Sequence, residues 1–165
     1  KVSVYRNGEE VFFSRGLNEA VICSSGIAKV INLGLSMDKT FAGNFRCDGM
    51  IVATPTGSTG YSLASGGPIL DAEMRALIIT PICPFTLSNR PVVTGEKEIL
   101  LEVLEHQRTD IVLTVDGQIY YELKANDKII VEMSSKRLRL IHSTKRNFTE
   151  VIREKLHWAG DMRNA

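Results

Sequence analysis

Short runs of Val, Ile, Leu, Thr and Tyr, partly alternating with polar residues, occupy most of the chain, and most end at Gly, Asn, Asp or Pro. Runs of this kind are typical of β-strands joined by turns. They predict a mainly β fold, an antiparallel β-sandwich-like domain with short helices and a C-terminal amphipathic helix. The predicted strands are Val2–Arg6, Glu10–Ser14, Glu19–Ser24, Ala28–Met37, Thr40–Arg46, Met50–Ala53, Ala76–Ile82, Ile99–Leu104, Asp110–Val115, Ile119–Leu123, Lys128–Met133 and Arg137–His142.

Two dipeptides predict tight hairpin turns, Asn7-Gly8 and Asp116-Gly117. Asn-Gly and Asp-Gly readily adopt the positive φ angles that a two-residue hairpin turn requires. Between the central strands the sequence predicts a short helix that starts at Tyr61 and runs to Ala64, because a Gly-Gly-Pro segment follows it. A turn or a second helix is expected just beyond, at Asp71–Leu77.

The C-terminal segment has a different pattern. Phe148, Val151, Ile152 and Leu156 fall at the three-to-four spacing of one helical face, and Asn147 precedes them as a plausible N-cap. This predicts an amphipathic helix. Its apolar face either closes the core of this domain or packs against another domain.

Composition favours one domain over residues 1–165, long enough to bury roughly 70% of the surface of the unfolded chain. The net charge of +1, from 20 basic and 19 acidic residues, provides no field that attracts nucleic acid or an anionic membrane. The apolar runs are far shorter than the ~20 residues needed to cross a bilayer. We therefore expect neither a nucleic acid nor a membrane partner.

The cysteines and histidines form no paired motif of the kind that a zinc site needs. We therefore predict no metal site in this chain and three reduced, structural thiols in a cytoplasmic protein. The residues concerned are Cys23, Cys47, Cys83, His106, His142 and His157.

The segment from Thr54 to Ser62 is crowded with hydroxyls, and Gly57 and Gly60 within it let backbone amides approach a ligand closely. It is neither a Walker loop nor a Rossmann Gly-x-Gly-x-x-Gly. By composition alone, such a loop is more often a turn whose hydroxyls bond to its own backbone.

The run Asp48–Ser62 resembles the substrate-binding signature of the NAD kinases, enzymes that phosphorylate the adenosine ribose of NAD. Leu17-Asn18-Glu19 resembles the Asn-Glu pair of that family, and Val115–Gln118 resembles a third family segment in the right order. The resemblance extends from about Val2 to Trp158. It therefore covers nearly the whole chain.

The resemblance implies a set of NAD-binding residues. Asn18 and Glu19 would hold the adenosine part, while Asp48 would reach the nicotinamide end, in part across a subunit boundary. The implied NAD-binding residues are Asn18, Glu19, Lys29, Arg46, Asp48, Thr59, Gly60, Tyr61, Ser62, Leu63, Ala64 and Gln118, with Thr56, Gly57 and Asp116 in the supporting loops.

Simpler interpretations of the same residues remain open. Arg46 and Asp48 alternate around Cys47 and would form a weak surface ion pair on spacing alone. Lys29 fits a solvated strand face, and Asn18 with Glu19 could cap the end of a strand.

The family's Gly-Gly-Asp-Gly-Thr motif, which supplies the presumed catalytic base, does not occur in this sequence. We therefore expect the chain to be the C-terminal, NAD-binding domain of a longer NAD kinase, with no catalytic residue of its own and no activity alone. The resemblance further implies ATP or polyphosphate as phosphoryl donor, Mg²⁺ or another divalent cation, the enzyme's own N-terminal domain as a partner, and a homodimer or homotetramer. Gly60 and Cys47 depart from common family residues, which leaves the preference between NAD and NADH open.

Two other functions are considered. A lipid kinase of the diacylglycerol or sphingosine type shares the two-domain plan, but it should show an apolar channel, whereas this loop is lined with hydroxyls. A non-enzymatic nucleotide-binding module is the alternative from a different class.

Overall fold

The computed structural model describes residues 1–26, 30–136, 138–139, 141 and 147–158. The chain divides into two compact units, Lys1–Ser134 and Ser135–Ala165. Within the described residues, the strands belong to the first unit and the second unit contains one helix. The prediction of a single domain over the whole chain stays a prediction.

Twelve strands of the first unit form two antiparallel sheets of six strands each. One sheet has the order β2-β1-β12-β9-β4-β5 and the other has the order β11-β10-β3-β6-β7-β8. The strands are β1 (Val2–Arg6), β2 (Glu9–Ser14), β3 (Glu19–Ser24), β4 (Ile31–Met37), β5 (Thr40–Cys47), β6 (Gly49–Ala53), β7 (Leu77–Ile82), β8 (Val92–Thr94), β9 (Ile99–Val103), β10 (Ile111–Val115), β11 (Ile119–Leu123) and β12 (Lys128–Val131).

One hydrophobic core joins the two sheets. Leu33 and Leu101 enter it from the first sheet, Ile22 and Leu113 enter it from the second, and all four are almost completely buried. Alternate residues of the facing strands therefore pack against each other, as in a β-sandwich. The predicted mainly β, sandwich-like fold is confirmed.

The outer face of the second sheet is also covered. Val21, Ile51 and Ile78 point away from the main core and pack with Leu70 and Ala76, which belong to the long connection between β6 and β7. Because both faces of β6 and β7 are buried, these strands are almost entirely apolar, and Thr80 is the polar exception. This confirms the expectation that the Ala76–Ile82 run lies centrally.

The pairing of β3 with β6 positions the candidate site. Glu19, the first residue of β3, lies opposite Ala53, the last residue of β6, and Cys23 lies opposite Gly49. The connection from β6 to β7 therefore starts beside Glu19, whereas the connection from β5 to β6 lies beside the other end of β3.

Both hairpin turns were predicted correctly. Asn7 and Gly8 have φ values of 54° and 86°, and Asp116 and Gly117 have φ values of 51° and 65°. The predicted short helix is also present, as α1 (Tyr61–Ala64). At Asp71 the chain forms a turn and not a helix.

Three features differ from the predicted pattern. A 3-10 helix at Thr56–Thr59 and the three-residue strand β8 were not predicted, because both are too short to show a period. The predicted strand Arg137–His142 lies partly outside the described residues. Leu138, Arg139 and Ile141 are described and belong to no strand.

The second unit contains α2 (Phe148–Leu156), which confirms the predicted C-terminal helix. Its N-cap is Asn147, whose side chain accepts a hydrogen bond from the Glu150 amide, while the Glu150 carboxylate accepts one from the Asn147 amide. This reciprocal capping box satisfies two amides that the helix itself cannot pair. No helix among the described residues has the length and apolar character needed to cross a membrane.

Candidate functional site

The segment before β3 is held in place by the carboxylate of Asp116, in the turn between β10 and β11. Oδ2 accepts a hydrogen bond from the Leu17 amide at 2.6 Å, and Oδ1 accepts bonds from the Asn18 and Glu19 amides at 2.8 and 3.0 Å. In return, the Asp116 amide donates to the Glu19 carbonyl. Asp116 thereby fixes the backbone of the Asn-Glu pair.

Gly16 leaves room for this arrangement. A Cβ atom at residue 16 would lie 2.8 Å from Val115 Cγ1 and 2.9 Å from Asp116 Oδ1. Only a glycine fits here without displacing its neighbours, because carbon atoms in normal contact are about 3.5–4 Å apart.

The start of the long connection is fastened to the same segment. Thr54 Oγ1 donates to the Leu17 carbonyl at 2.6 Å and accepts from the Gly57 amide, and the Thr54 amide donates to the Asn18 carbonyl at 2.8 Å. A Cβ atom at Gly57 would lie 2.1 Å from the Asn18 carbonyl oxygen. The loop and the Asn-Glu pair therefore meet backbone to backbone.

The Glu19 side chain enters the space between these segments. Its Oε2 atom is buried and has no hydrogen-bond partner among the described residues. A Cβ atom at Gly60 would lie 3.1 Å from the same oxygen, so the loop passes directly beside it. An unpaired buried carboxylate oxygen is costly, which is typical of an atom whose partner is a ligand.

Burial of this carboxyl, and secondarily the negative charge of Asp116, raise the pKa of Glu19 above its ordinary value. Both effects disfavour the ionised form. The ionised form of Glu19 is therefore destabilised in the free protein, and a ligand that donates hydrogen bonds to Oε2 would stabilise it.

The residues after Gly57 divide into an exposed group and a buried group. Thr56, Thr59, Gly60, Tyr61 and Ala64 are exposed, and Leu63 is half-buried. Ser62 is fully buried, and its hydroxyl shares a hydrogen bond of 2.9 Å with the hydroxyl of Thr80. The structure therefore gives the Ser62 hydroxyl a partner within the fold, whereas the side chain of Tyr61 stays exposed.

Arg46 and Asp48 lie at the opposite end of the β3–β6 pair. The Asp48 carbonyl accepts from the amide of Ser24, the last residue of β3, and the Asp48 amide donates to the Ile82 carbonyl. With a rise of about 3.3 Å per residue, the two ends of β3 are roughly 16 Å apart. One copy of the chain therefore does not bring Asp48 next to Glu19.

Arg46 contacts an aromatic ring. Its guanidinium carbon lies 4.8 Å from the ring centre of Phe85, which is exposed. Among the ion pairs of the described residues, none joins Arg46 to Asp48. The surface ion pair that spacing alone favours is absent from this part of the chain.

Gln118 and Lys29 are the other residues predicted to bind NAD. Gln118 is exposed in the turn that begins at Asp116, and its amide donates to the Val115 carbonyl. Lys29 lies outside the described residues. No group of three or more His, Cys, Asp or Glu side chains in the described parts of the chain is arranged to hold a metal ion.

Three contributors are not in the set of site residues predicted from the sequence. Gly16 and Thr54 shape the segment around Glu19, and Phe85 packs against Arg46. Only Thr54 carried a signal, since it begins the hydroxyl-rich loop. Nothing in the sequence links Gly16 to Asp116 or Phe85 to Arg46.

A family model for the ATP-NAD kinase C-terminal domain matches residues 17–143. The chain belongs to this family. As an ATP-NAD kinase C-terminal domain, it is 43% identical over 159 residues to an NAD kinase of Treponema denticola and 40% identical over 158 residues to one of Geotalea daltonii. Each alignment covers 96% of this chain and 56% of the relative, so the chain spans about half the length of the curated relatives it matches.

Solved structures show the same domain fold. A yeast NADH kinase complexed with NADH superposes with a TM-score of 0.89 over 99% of this chain and 50% of that chain, at 24% identity. An NAD kinase from Archaeoglobus fulgidus in complex with ATP matches 80% of this ATP-NAD kinase C-terminal domain and 49% of that chain, with a TM-score of 0.66 and 30% identity.

Proposed function

We propose that this chain is the NAD-binding part of an NAD kinase, in which the 2′-hydroxyl of the adenosine ribose attacks the terminal phosphate of ATP. The new bond joins that oxygen to phosphorus, and ADP leaves. The observation that carries the proposal is the unpaired, buried Oε2 of Glu19 beside the hydroxyl-rich loop. The family membership makes a dinucleotide the natural partner of this oxygen.

The chemistry of each group suits one part of NAD. A carboxylate accepts hydrogen bonds from the two hydroxyls of a ribose. The side-chain amide of Asn18 can both donate hydrogen bonds to adenine and accept them from it. Tyr61 directly follows Gly60, is exposed, and would offer a ring face to a base. Held in this way, the ribose is oriented for transfer, and positioning is a main source of rate in phosphoryl transfer.

The rest of the machinery is proposed to lie outside this chain. The catalytic base and the phosphate-binding motif would come from an N-terminal domain, and Mg²⁺ or another divalent cation would neutralise charge on the transferred phosphoryl group. This chain then contributes binding and orientation. A relative with a similar domain was solved in complex with ATP, which supports ATP as the donor.

A shared site between two copies of the chain is part of the proposal. Glu19 and Asp48 lie at opposite ends of β3, so in a homodimer or homotetramer the Asp48 end of one copy would complete the Glu19 end of another. Mixing Glu19→Gln protein with Asp48→Asn protein, at an NAD concentration far below KM where each variant alone has little activity, tests this. In a two-fold dimer, random reassortment would restore about one quarter of the wild-type activity, since half of the dimers are mixed and each of these has one intact site.

A turnover assay and calorimetry test the function. The full-length protein should form NADP from NAD with ATP and Mg²⁺, and it should bind NAD more tightly than unrelated nucleotides. Equal affinity for all nucleotides without turnover would favour the non-enzymatic module. Phosphorylation of diacylglycerol or sphingosine instead of NAD would favour the lipid kinase.

A further inference from the structure

Three backbone amides converge on one carboxylate at the candidate site. Leu17, Asn18 and Glu19 all donate to Asp116, although 97 to 99 positions separate them from it in the sequence. Hydrogen bonds to an ionised acceptor are shorter and stronger than neutral ones. Loss of the Asp116 carboxylate would therefore release both members of the Asn-Glu pair at once.

We propose that Asp116 is a positioning residue for NAD: its carboxylate fixes the Asn18–Glu19 backbone in the arrangement in which Glu19 accepts the ribose hydroxyls. The inference rests on the proposed function. It assigns Asp116 a role beyond that of a turn residue, and it requires no contact between Asp116 and NAD.

The negative charge of Asp116 also acts on the ionisation of Glu19, which gives the positioning role a second measurable effect. Glu19 must be ionised to accept two hydroxyls, and a neighbouring negative charge makes that ionisation harder. The Asp116 carboxylate lies 3.0 Å from the Glu19 amide, and its negative charge adds to the effect of burial in raising the pKa of Glu19. The end of β6 and the loop from Thr54 to Gly60 carry no charged side chain, and Tyr61 is the first ionisable residue beyond them.

Asp116→Asn in the full-length protein tests the role of the Asp116 charge while it keeps the shape of the side chain. Asparagine retains one acceptor oxygen and the shape of the side chain, but it removes the charge and turns an NH₂ group toward one backbone amide. We expect the KM for NAD to rise by roughly tenfold to a hundredfold, the range expected for one or two lost charge-assisted bonds, with the KM for ATP unchanged. The acid limb of the pH profile of kcat/KM for NAD should move to lower pH.

Gly16→Ala is the second variant. Its methyl group would lie 2.8 Å from Val115 Cγ1 and 2.9 Å from Asp116 Oδ1, so both side chains must shift while the charge of Asp116 remains. The KM for NAD should rise, and the acid limb should stay near its wild-type position. If Asp116→Asn fails to fold, Gly16→Ala still tests whether the Asp116 carboxylate positions the Asn18–Glu19 backbone. An unchanged KM for NAD in folded Gly16→Ala would overturn the proposal.

Asp127→Asn is the matched control. Asp127 is also a turn aspartate that accepts a backbone amide, from Lys124, but its carboxylate is fully buried against Arg6 and lies outside the candidate site. It should lower the urea midpoint without moving the KM for NAD or the acid limb. If Asp116 had only a structural role, Asp116→Asn would likewise lower the urea midpoint and leave the KM for NAD and the acid limb unchanged. That result would contradict the inference.

Failure of the inference differs from failure of the proposed function. A wild-type protein that forms NADP, combined with a folded Asp116→Asn variant of normal KM and normal acid limb, removes only the role of Asp116. A wild-type protein that neither binds nor phosphorylates NAD removes the proposed function itself.

Discussion

The two ends of the β3–β6 pair are built differently. At the Glu19 end, Asp116 and Thr54 hold the backbone with short hydrogen bonds, and Gly57 allows two backbones to touch. At the other end, the Asp48 carboxylate makes no hydrogen bond or ion pair within the described chain, and Arg46 contacts a single exposed ring.

The difference indicates two kinds of ligand contact. Groups that are fixed before binding lose little conformational freedom when a ligand arrives, so the Glu19 end is suited to set the position of the ribose. The long, exposed side chain of Arg46 loses more, so the Asp48 end is suited to complete a site after the ligand or a second copy is in place. Substitutions at the first end should therefore affect both folding and binding, and those at the second should affect binding alone.

Gly57→Ala should have the largest effect at the Glu19 end. Its Cβ atom would lie 2.1 Å from the Asn18 carbonyl oxygen, so the loop and the Asn-Glu pair must separate. We expect the free energy of unfolding to fall by roughly 3 kcal/mol, as for severe overpacking, and NAD binding to be lost. Urea unfolding and calorimetry measure the two effects.

Gly95→Ala is the matched control for that change, because a Cβ atom at residue 95 would meet nothing within 4 Å and the backbone there does not have a left-handed φ. Its unfolding free energy should stay within about 0.5 kcal/mol of the wild-type value. If Gly57→Ala were equally mild, the backbone contact would not be needed to hold the Glu19 end together.

Glu19→Gln should remove two opposite pH dependences. The pKa of Glu19 is raised in the folded state, so at pH values above that pKa the ionised carboxyl lowers the free energy of unfolding. As the pH falls through the folded pKa toward the pKa of the unfolded chain, the carboxyl is protonated and the free protein becomes more stable. NAD binding needs the carboxylate and should weaken over the same interval.

In Glu19→Gln, NAD affinity should fall by roughly tenfold or more at neutral pH, and both pH trends should flatten. Calorimetry of NAD binding and urea unfolding between pH 4 and pH 8 measure them. NAD binding by wild-type protein that is constant over this range would show that the carboxylate is not the acceptor.

Much of this architecture is local and was predictable from the sequence. Asn7-Gly8 and Asp116-Gly117 specify their turns through their own backbone preferences, and alternating apolar residues specify strands. The role of Asp116 as an acceptor for the Asn18 amide was not predictable, because the two residues meet only after β3 and β10 pair.

The resemblance to the NAD kinases named the polar residues, but it did not reveal which of them the fold itself employs. Ser62 stands in the predicted set beside Tyr61, and only the structure shows its hydroxyl paired with Thr80 under Gly67, where a Cβ atom would lie 2.3 Å from Ser62 Oγ. The separation of Glu19 from Asp48 was likewise hidden, because it follows from the register of β3 on β6.

Asp48→Asn tests the second end with a smaller effect. The carboxylate has no partner in the described part of the chain, so the free energy of unfolding should change by less than about 0.5 kcal/mol. NAD affinity should fall by roughly tenfold through the loss of one charge-assisted hydrogen bond. A large loss of stability without a change in affinity would assign Asp48 to the fold and would end the contrast between the two ends.

Arg46→Met should have the smallest effect on the fold. Methionine keeps an apolar arm against Phe85 but removes the cation, so the unfolding free energy should fall by less than about 1 kcal/mol, the usual limit for an exposed cation–π contact. Phe85→Leu removes the ring and keeps the cation. If Arg46 serves NAD directly, Arg46→Met weakens NAD binding and Phe85→Leu does so less. Equal losses in both variants would instead mean that the Arg46–Phe85 contact acts as one unit, and that the Asp48 end is also ordered before binding.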